Sequence, residues 1–308
     1  MAILKSSTAR CRTFFNPKLN GHTTQRRQIT ISGSMILLLA ILLNGCASTG
    51  EPKPEPLKLY VFDCGNIKVA DVSLFSPGFD EGQEKELTNS CYLIRHPEGD
   101  MVWDTGLNDA IGPKGLELWD GAFHLSVTNP LGKQLKALQI KPEEIDYLGI
   151  SHFHMDHTGN ANLFTNASLL IQKEEYDAAF GKKADKYGFQ PETYSQVNRE
   201  KINVLNSDHD VFGDGKVIIK RAIGHTPGHQ ALYIDLEDEG PIMLSGDLYH
   251  FTKNRTFRRV PSFNYDKAQT QQSMDSVEIF MRNKGAKMWI QHDKEQNESI
   301  RRAPYAYQ

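Results

Sequence analysis

The sequence predicts an α+β fold in a single domain, with sheets packed on one another and helices outside. Three observations predict it. Short apolar runs of strand length, bounded by turn residues, recur from residue 57 onward. Patterns at helical spacing lie between the later runs, so a strand-rich first part precedes a part that mixes both elements. Histidines and aspartates stand just past several strand ends, where open sheets flanked by helices collect their sites.

Before the first strand lies a leader. No Asp or Glu precedes Glu51, whereas Lys5, Arg10, Arg12, Lys18, Arg26 and Arg27 give that stretch a charge of +6. The apolar run over 35–43 is too short for a bilayer, which takes about 20 residues. Basic residues, an apolar run and then Leu43-Asn44-Gly45-Cys46 follow the order of a bacterial signal peptide. They resemble a lipobox, in which the cysteine is acylated and becomes the new N-terminus. Residues 1–45 are therefore read as the signal peptide, 46–56 as a tether and 57–308 as the folded domain. This predicts a periplasmic or cell-envelope protein held at the membrane by a lipid on Cys46. The alternative is an ordinary cleaved signal with an incidental Cys46.

With 39% hydrophobic and 24% charged residues, the composition excludes a disordered chain, a collagen and a disulfide scaffold. The net charge of −3 hides an asymmetry. Without the six basic residues of the leader, 29 Lys and Arg face 38 Asp and Glu, a net −9. Nucleic acid is excluded as a partner on that charge, because its binders present basic faces to phosphate. The 11 histidines outnumber the 4 cysteines, so a metal site here is built of imidazole and carboxylate. Cys64 and Cys91 read either as a disulfide of an oxidising compartment or as two buried thiols at strand ends.

In chain order, strands are expected at 57–62, 91–94, 101–103, 147–150, 169–172, 217–221, 231–236, 242–244 and 288–291. Helices are expected at 131–139, 173–180, 191–200 and 267–284, the last with Met274, Val277 and Met281 at helical spacing.

The chemistry gathers at Ser151-His152-Phe153-His154-Met155-Asp156-His157-Thr158-Gly159, after the strand at 147–150. In extended backbone, residues two apart project to one side, so His152 and His154 can face one ion. The turn at Asp156-His157 can redirect two further ligands. Downstream, Gly224-His225-Thr226-Pro227-Gly228-His229 is a loop between strands, and Ser245-Gly246-Asp247 and Gln291-His292-Asp293 each follow a strand.

The order His-x-His-x-Asp-His, Thr-Pro-Gly-His, Gly-Asp and a late His resembles that of the metallo-β-lactamase superfamily, and Trp103-Asp104-Thr105-Gly106 matches its Asp-Thr-Gly signature. The resemblance covers residue 57 to the C-terminus and implies a four-layer αββα sandwich. Within the superfamily the chain is most similar to the N-acyl-homoserine lactonases. The similarity lies in Thr-Pro-Gly-His-Gln at 226–230, the 45-residue interval from Asp247 to His292, the run His292-Asp293-Lys294-Glu295-Gln296 and a long loop over 72–90.

The resemblance implies two divalent ions, zinc first, with iron, cobalt and manganese suited to the same ligands. It puts His152, His154 and His229 on one ion, Asp156, His157 and His292 on the other, and Asp247 and a hydroxide between them. Asp156 is also the candidate proton shuttle, and Asp104 supports the ligand loop by hydrogen bonds. Tyr249 is the candidate phenol that assists catalysis. The lactonases carry their tyrosine three residues after the aspartate, where this chain has His250, the alternative for that role. His225 reads as an orienter of its loop, because the set of seven ligands is complete without it.

The function expected is a dinuclear metallohydrolase that opens the ring of a small neutral lactone, an N-acyl-homoserine lactone. Hydrolysis of another ester, thioester or lactam on the same centre is the alternative within the class, and a zinc-binding lipoprotein without catalysis is the alternative outside it. The zinc β-lactamases with a cysteine ligand do not match, since no cysteine lies beyond Cys91. Oligomeric state has no diagnostic pattern here, a dimer included.

Overall fold

The computed structural model describes residues 55–308. The signal peptide expected over 1–45, Cys46 and nearly all of the tether expected over 46–56 lie outside the described residues. Among those described, no helix is long and apolar enough to cross a membrane.

Eight strands in chain order make most of one sheet: β1 (Lys58–Val69), β2 (Lys85–His96), β3 (Gly99–Trp103), β4 (Leu116–Leu118), β5 (Phe123–Ser126), β6 (Tyr147–Gly149), β7 (Ser168–Gln172) and β8 (Ile202–Leu205). Their spatial order is β4-β5-β1-β2-β3-β6-β7-β8, antiparallel as far as β3 and parallel from there. A second sheet holds β9 (His209–Asp210), β10 (Val217–Arg221), β11 (Gln230–Leu236), β12 (Gly240–Leu244) and β13 (Lys287–Trp289), in the order β13-β12-β11-β10-β9. The last strand, β14 (Ala306–Tyr307), returns to pair with β1.

Period-two alternation packs the sheets face to face. Leu59 and Val61 of β1, Tyr92 and Ile94 of β2, and Met101 and Trp103 of β3 meet Val217, Ile219, Leu232, Ile234, Ile242 and Leu244 of the second sheet. The intervening residues Phe62, Cys91, Leu93, Val102, Leu169 and Ile171 point outward, where α1 (Leu131–Ala137) and α3 (Lys173–Ala179) cover them. Ala231, Tyr233 and Met243 on the far side of the second sheet are covered by Met274, Val277 and Met281 of α5 (Lys267–Lys284). The outcome is the expected αββα sandwich. Helix α5 has the expected bounds, with Asp266 capping the Gln269 N–H and Gly285, at φ 66°, ending it in the left-handed region.

Three elements differ from expectation. The helix expected over 191–200 is two short turns, Pro191–Tyr194 and Arg199–Lys201. The side chains of Thr193, Ser195 and Asn198 bond to nearby backbone and compete with the helical ladder. The loop expected over 72–90 ends at Lys85, because β1 continues past a bulge between Asp63 and Asn66 and pairs Ile67 with Leu87. The hairpin β4–β5 was not expected. Its signal is Asp120-Gly121 between alternating runs, and both have positive φ, as the two central residues of a primed hairpin turn require, with the Ala122 N–H donating to the Trp119 carbonyl. Cys64 of β1 and Cys91 of β2 are joined as a disulfide, with Cα atoms 5.8 Å apart.

Candidate metal centre

Four strand ends converge on one rim of the sandwich. After β6 the chain runs through Ser151, His152 and His154 into the four-residue helix α2 (Met155–Thr158), which carries Asp156 and His157. The β10–β11 loop brings His225, the turn after β12 brings Asp247, and the segment after β13 brings His292.

The ligating atoms fall into two groups. His152 Nε2, His154 Nδ1 and His225 Nε2 lie 2.8–3.2 Å apart, and Asp247 Oδ2 is 3.2 Å from His225 Nε2 and 3.6 Å from His152 Nε2. The other group is Asp156, His157 and His292. His157 Nε2 and His292 Nε2 are 3.4 Å apart and each 3.7 Å from Asp156 Oδ2, while Asp247 Oδ1 lies 3.3 Å and 3.0 Å from the two imidazoles. A tetrahedron of ligands with bonds of 2.0–2.1 Å has edges of about 3.3–3.4 Å. The distances in the two groups, 2.8–3.6 Å and 3.0–3.7 Å, bracket that edge, and the two oxygens of one carboxylate face one group each. Asp247 Oδ1 is also buried without a hydrogen-bond partner. Such an orphaned acceptor has a large desolvation cost unless a cation meets it, so the donor set fits divalent metal.

Each ring nitrogen turned away from the cluster has a partner. His154 Nε2 is 3.1 Å from the Tyr187 carbonyl, His292 Nδ1 2.8 Å from the Thr88 carbonyl, and His225 Nδ1 2.9 Å from Asn264 Oδ1. His157 Nδ1 lies 2.9 Å from Asp104 Oδ2, whose other oxygen accepts the Ser151 N–H at 2.6 Å. These partners fix ring orientation and leave the opposite nitrogen as the ligating atom. Burial and the adjacent His225 push His154 down to about 3, and burial beside His157 holds His152 well below its ordinary value. Neutral imidazole is the ligating form. Burial opposes the charge on His157 too, but Asp247, Asp156 and Asp104 outweigh it and raise that group well above its ordinary value. Asp247 stays ionised despite burial, held low by His250, His292, His157 and His152.

Six of the seven expected ligands, His152, His154, Asp156, His157, Asp247 and His292, are brought together, and His229 is not. Its Nδ1 is 2.9 Å from the Ala222 carbonyl and its Nε2 accepts the Asp247 N–H at 2.8 Å, so both nitrogens are occupied outside the cluster. His225, read from sequence as an orienter, holds the expected place. The backbone pair Ala222–His229 closes the loop at its base, whereas His225 stands at its tip. Tyr249 also lies elsewhere: its hydroxyl donates to Glu278 and its ring packs among the α5 residues. His250 faces the cluster instead, with Nε2 3.0 Å from Asp247 Oδ2 and Nδ1 buried without a partner. Residues 246–248 form one short turn that ends in extended backbone at Tyr249 (φ −140°, ψ 136°), and after that change of direction His250, not Tyr249, stands beside Asp247. One further residue had no sequence signal: Glu175 is wholly buried behind the ligand loops, and burial pushes its carboxyl up to about 7 against two backbone N–H groups that lower it.

The cluster floors a cavity of about 540 Å³. One wall is apolar, formed by Phe75, Leu118, Trp119, Phe123 and Phe263, and the segment 185–190 lines the cavity as well.

A site of this make-up on an αββα sandwich defines a class. Residues 85–292 match the model of the metallo-beta-lactamase superfamily, and the chain belongs to that superfamily as a metal-dependent hydrolase. It is 28% identical over 266 residues to N-acyl homoserine lactonase AttM of Azorhizobium caulinodans, covering 82% of this chain and 98% of the relative. It is 26% identical over 257 residues to N-acyl homoserine lactonase AiiA of Bacillus thuringiensis subsp. kurstaki, covering 80% and 97%. A solved N-acyl homoserine lactone hydrolase, with the product N-hexanoyl-L-homoserine at its catalytic metal center, superposes with a TM-score of 0.71 at 26% identity, covering 81% and 98%.

One glycine sets how closely the ligand loop meets its support. A Cβ on Gly159 would stand 2.2 Å from the Asn108 nitrogen and 2.5 Å from the Gly106 carbonyl, all backbone. Gly159→Ala is expected to cost about 3 kcal/mol, at the upper end for overpacking. The measurement is the urea midpoint of the metal-free protein, and an unchanged midpoint contradicts the close approach.

Proposed function

We propose that this protein opens the lactone ring of N-acyl-homoserine lactones on a pair of divalent ions. The observation that carries the reading is Asp247, whose two oxygens face two complete sets of ligands on the floor of a cavity with an apolar wall. His152, His154, His225 and Asp247 would hold one ion, and Asp156, His157, His292 and Asp247 the other, with zinc the best match to the imidazole-rich set. Bound there, such ions lower the pKa of a water toward neutrality, supplying a hydroxide nucleophile, and polarise an ester carbonyl.

The chain's own residues supply the rest. Asp156 lines the cavity and is placed to take a proton from the attacking water and pass it to the alkoxide oxygen that leaves as the ring opens. His250 lines the cavity beside the ligands, with Nε2 3.0 Å from Asp247 Oδ2 and its ring 4.7 Å from that of Phe75, so it is placed to hold the bridging carboxylate in position. The apolar wall suits an acyl chain, and the acidic surface disfavours a polyanion. The names of the relatives, which cover nearly their whole length, support the substrate class.

The test is metal analysis with a lactone panel. Protein reconstituted with zinc should hold two ions per chain and release acid from acyl-homoserine lactones of several chain lengths. His225→Ala should weaken binding of one ion by at least about tenfold and reduce turnover in step. Metal uptake with no lactone opening, but with cleavage of another ester, favours the wider hydrolase reading; uptake with no hydrolysis at all favours a binding protein.

Trp119, at the tip of the β4–β5 hairpin, is 63% exposed and edge-on to Phe123 at 5.2 Å. Its φ of 49° is an outlier for so bulky a residue and holds the indole at the cavity mouth. Trp119→Ala should lower kcat/KM for long acyl chains about tenfold and leave the shortest substrate within about twofold. An equal loss on both removes it as a chain-length determinant.

We also propose that the mature chain is a lipoprotein of the cell envelope, anchored at Cys46. The basic leader, the apolar run and Cys46 support it, as does the Cys64–Cys91 disulfide, which suits an oxidising compartment. Full-length protein should partition with membranes and move to the soluble fraction on Cys46→Ser; a cytosolic, unprocessed chain contradicts the reading.

A further inference from the structure

Two loops from different sheets supply the three imidazoles of the first ligand group. His152 and His154 flank Phe153 in one loop, and His225 lies in the other, which passes through Gly228. Behind both, on the first turn of α3, the carboxylate of Glu175 is fully buried. Its Oε1 accepts the Phe153 N–H at 2.9 Å and its Oε2 accepts the Gly228 N–H at 2.8 Å. One side chain thus ties the two ligand loops together through their backbones. The approach is close because residue 228 is glycine: a Cβ there would stand 2.3 Å from the Glu175 nitrogen.

We propose that Glu175 is a positioning residue that sets the spacing of His152 and His154 against His225. The chemistry calls for a carboxylate. Two backbone donors on separate loops need two acceptors on one rigid plane, and a carboxylate offers acceptors only. Glutamine would accept from one N–H and turn its own N–H groups against the other. Aspartate keeps two acceptors but is one methylene short. A buried carboxylate is costly to keep, and an apolar side chain of the same size would fill the space under α3 without that cost. The Gln230 N–H to Ser151 carbonyl bond, 2.9 Å, joins the same loops nearer the strands. Glu175 acts further out, beside the ligands themselves.

The inference rests on reading the cluster as a metal centre, so its test reads metal rather than turnover. Zinc affinity is measured by chelator competition, and the ligand field by the absorption of the cobalt-substituted protein, for the wild type, E175Q and E175D. Thermal melting of each metal-free protein is recorded beside them. E175Q should bind one ion about 10–100-fold more weakly and the other as the wild type does, with altered cobalt bands. E175D should fall between the two. If E175Q lowers the melting temperature but binds both ions with wild-type affinity and spectrum, Glu175 serves the fold alone and the proposal fails. If E175Q does not fold, E175D decides on the same two readouts. A wild type that takes up no metal overturns the metal reading itself, which separates the two failures.

Discussion

Asp247 is the constraint on which the rest of the molecule depends. A buried carboxylate that turns one oxygen to three imidazoles and the other to two imidazoles and a second carboxylate needs every one of those groups placed to within a few tenths of an ångström. Taking such charges out of water costs several kcal/mol per ion unless partners return it. The fold meets the requirement by drawing the groups from the ends of β6, β10, β12 and β13, in two sheets whose separation is set by one shared apolar core. Gln230 then pins the sheets beside the site, its amide donating to the carbonyls of Ile150 and Leu170 in the facing sheet. Rigidity of the core and precision of the site are one property.

How far the site was legible follows from local geometry. His152, His154, Asp156 and His157 could be read because they lie together in one short segment, where extended backbone and then a single helical turn fix the directions of the side chains. Asp247 and His292 could be read because each directly follows a strand. His225 and His229 could not be told apart on spacing alone. Both occur in one Gly- and Pro-shaped loop, and which imidazole reaches inward depends on where the loop closes. The strand pairing at Ala222 and His229 decides it, and pairing is a property of the sheet rather than of the loop. Tyr249 and His250 pose the same problem at smaller scale, since which of them faces Asp247 depends on how the short turn at 246–248 hands over to extended backbone at Tyr249.

The fold was more legible than the site. Short apolar runs bounded by turn residues announced most strands, and the spacing of Met274, Val277 and Met281 announced α5. What escaped had little apolar pattern to show. β4 and β5 are short and partly exposed, and their evidence was a two-residue turn. Glu175 escaped for a deeper reason. A glutamate near the start of a helix is the ordinary sequence of a solvated first turn, favourable to the helix dipole, and only tertiary structure shows this one buried against two ligand loops.

The division of labour between floor and wall bears on how such an enzyme discriminates. On the proposed function, ligands and ions would act on the ester group, which every lactone in a series shares, so the floor could set the rate but could not separate one acyl chain from another. On the same proposal, separation would fall to Phe75, Trp119, Phe123 and Phe263, through apolar contact worth about 0.8 kcal/mol per methylene buried, roughly a fourfold preference for each. That preference accumulates only as far as the wall extends. With that function, chain length would be read where the wall stops, at the hairpin tip, and a tryptophan with positive φ there would alter the reading without touching the chemistry below. Such a tip can change from one homologue to the next while the buried cluster stays intact, since the hairpin lies at the edge of its sheet and shares no hydrogen bond with a ligand.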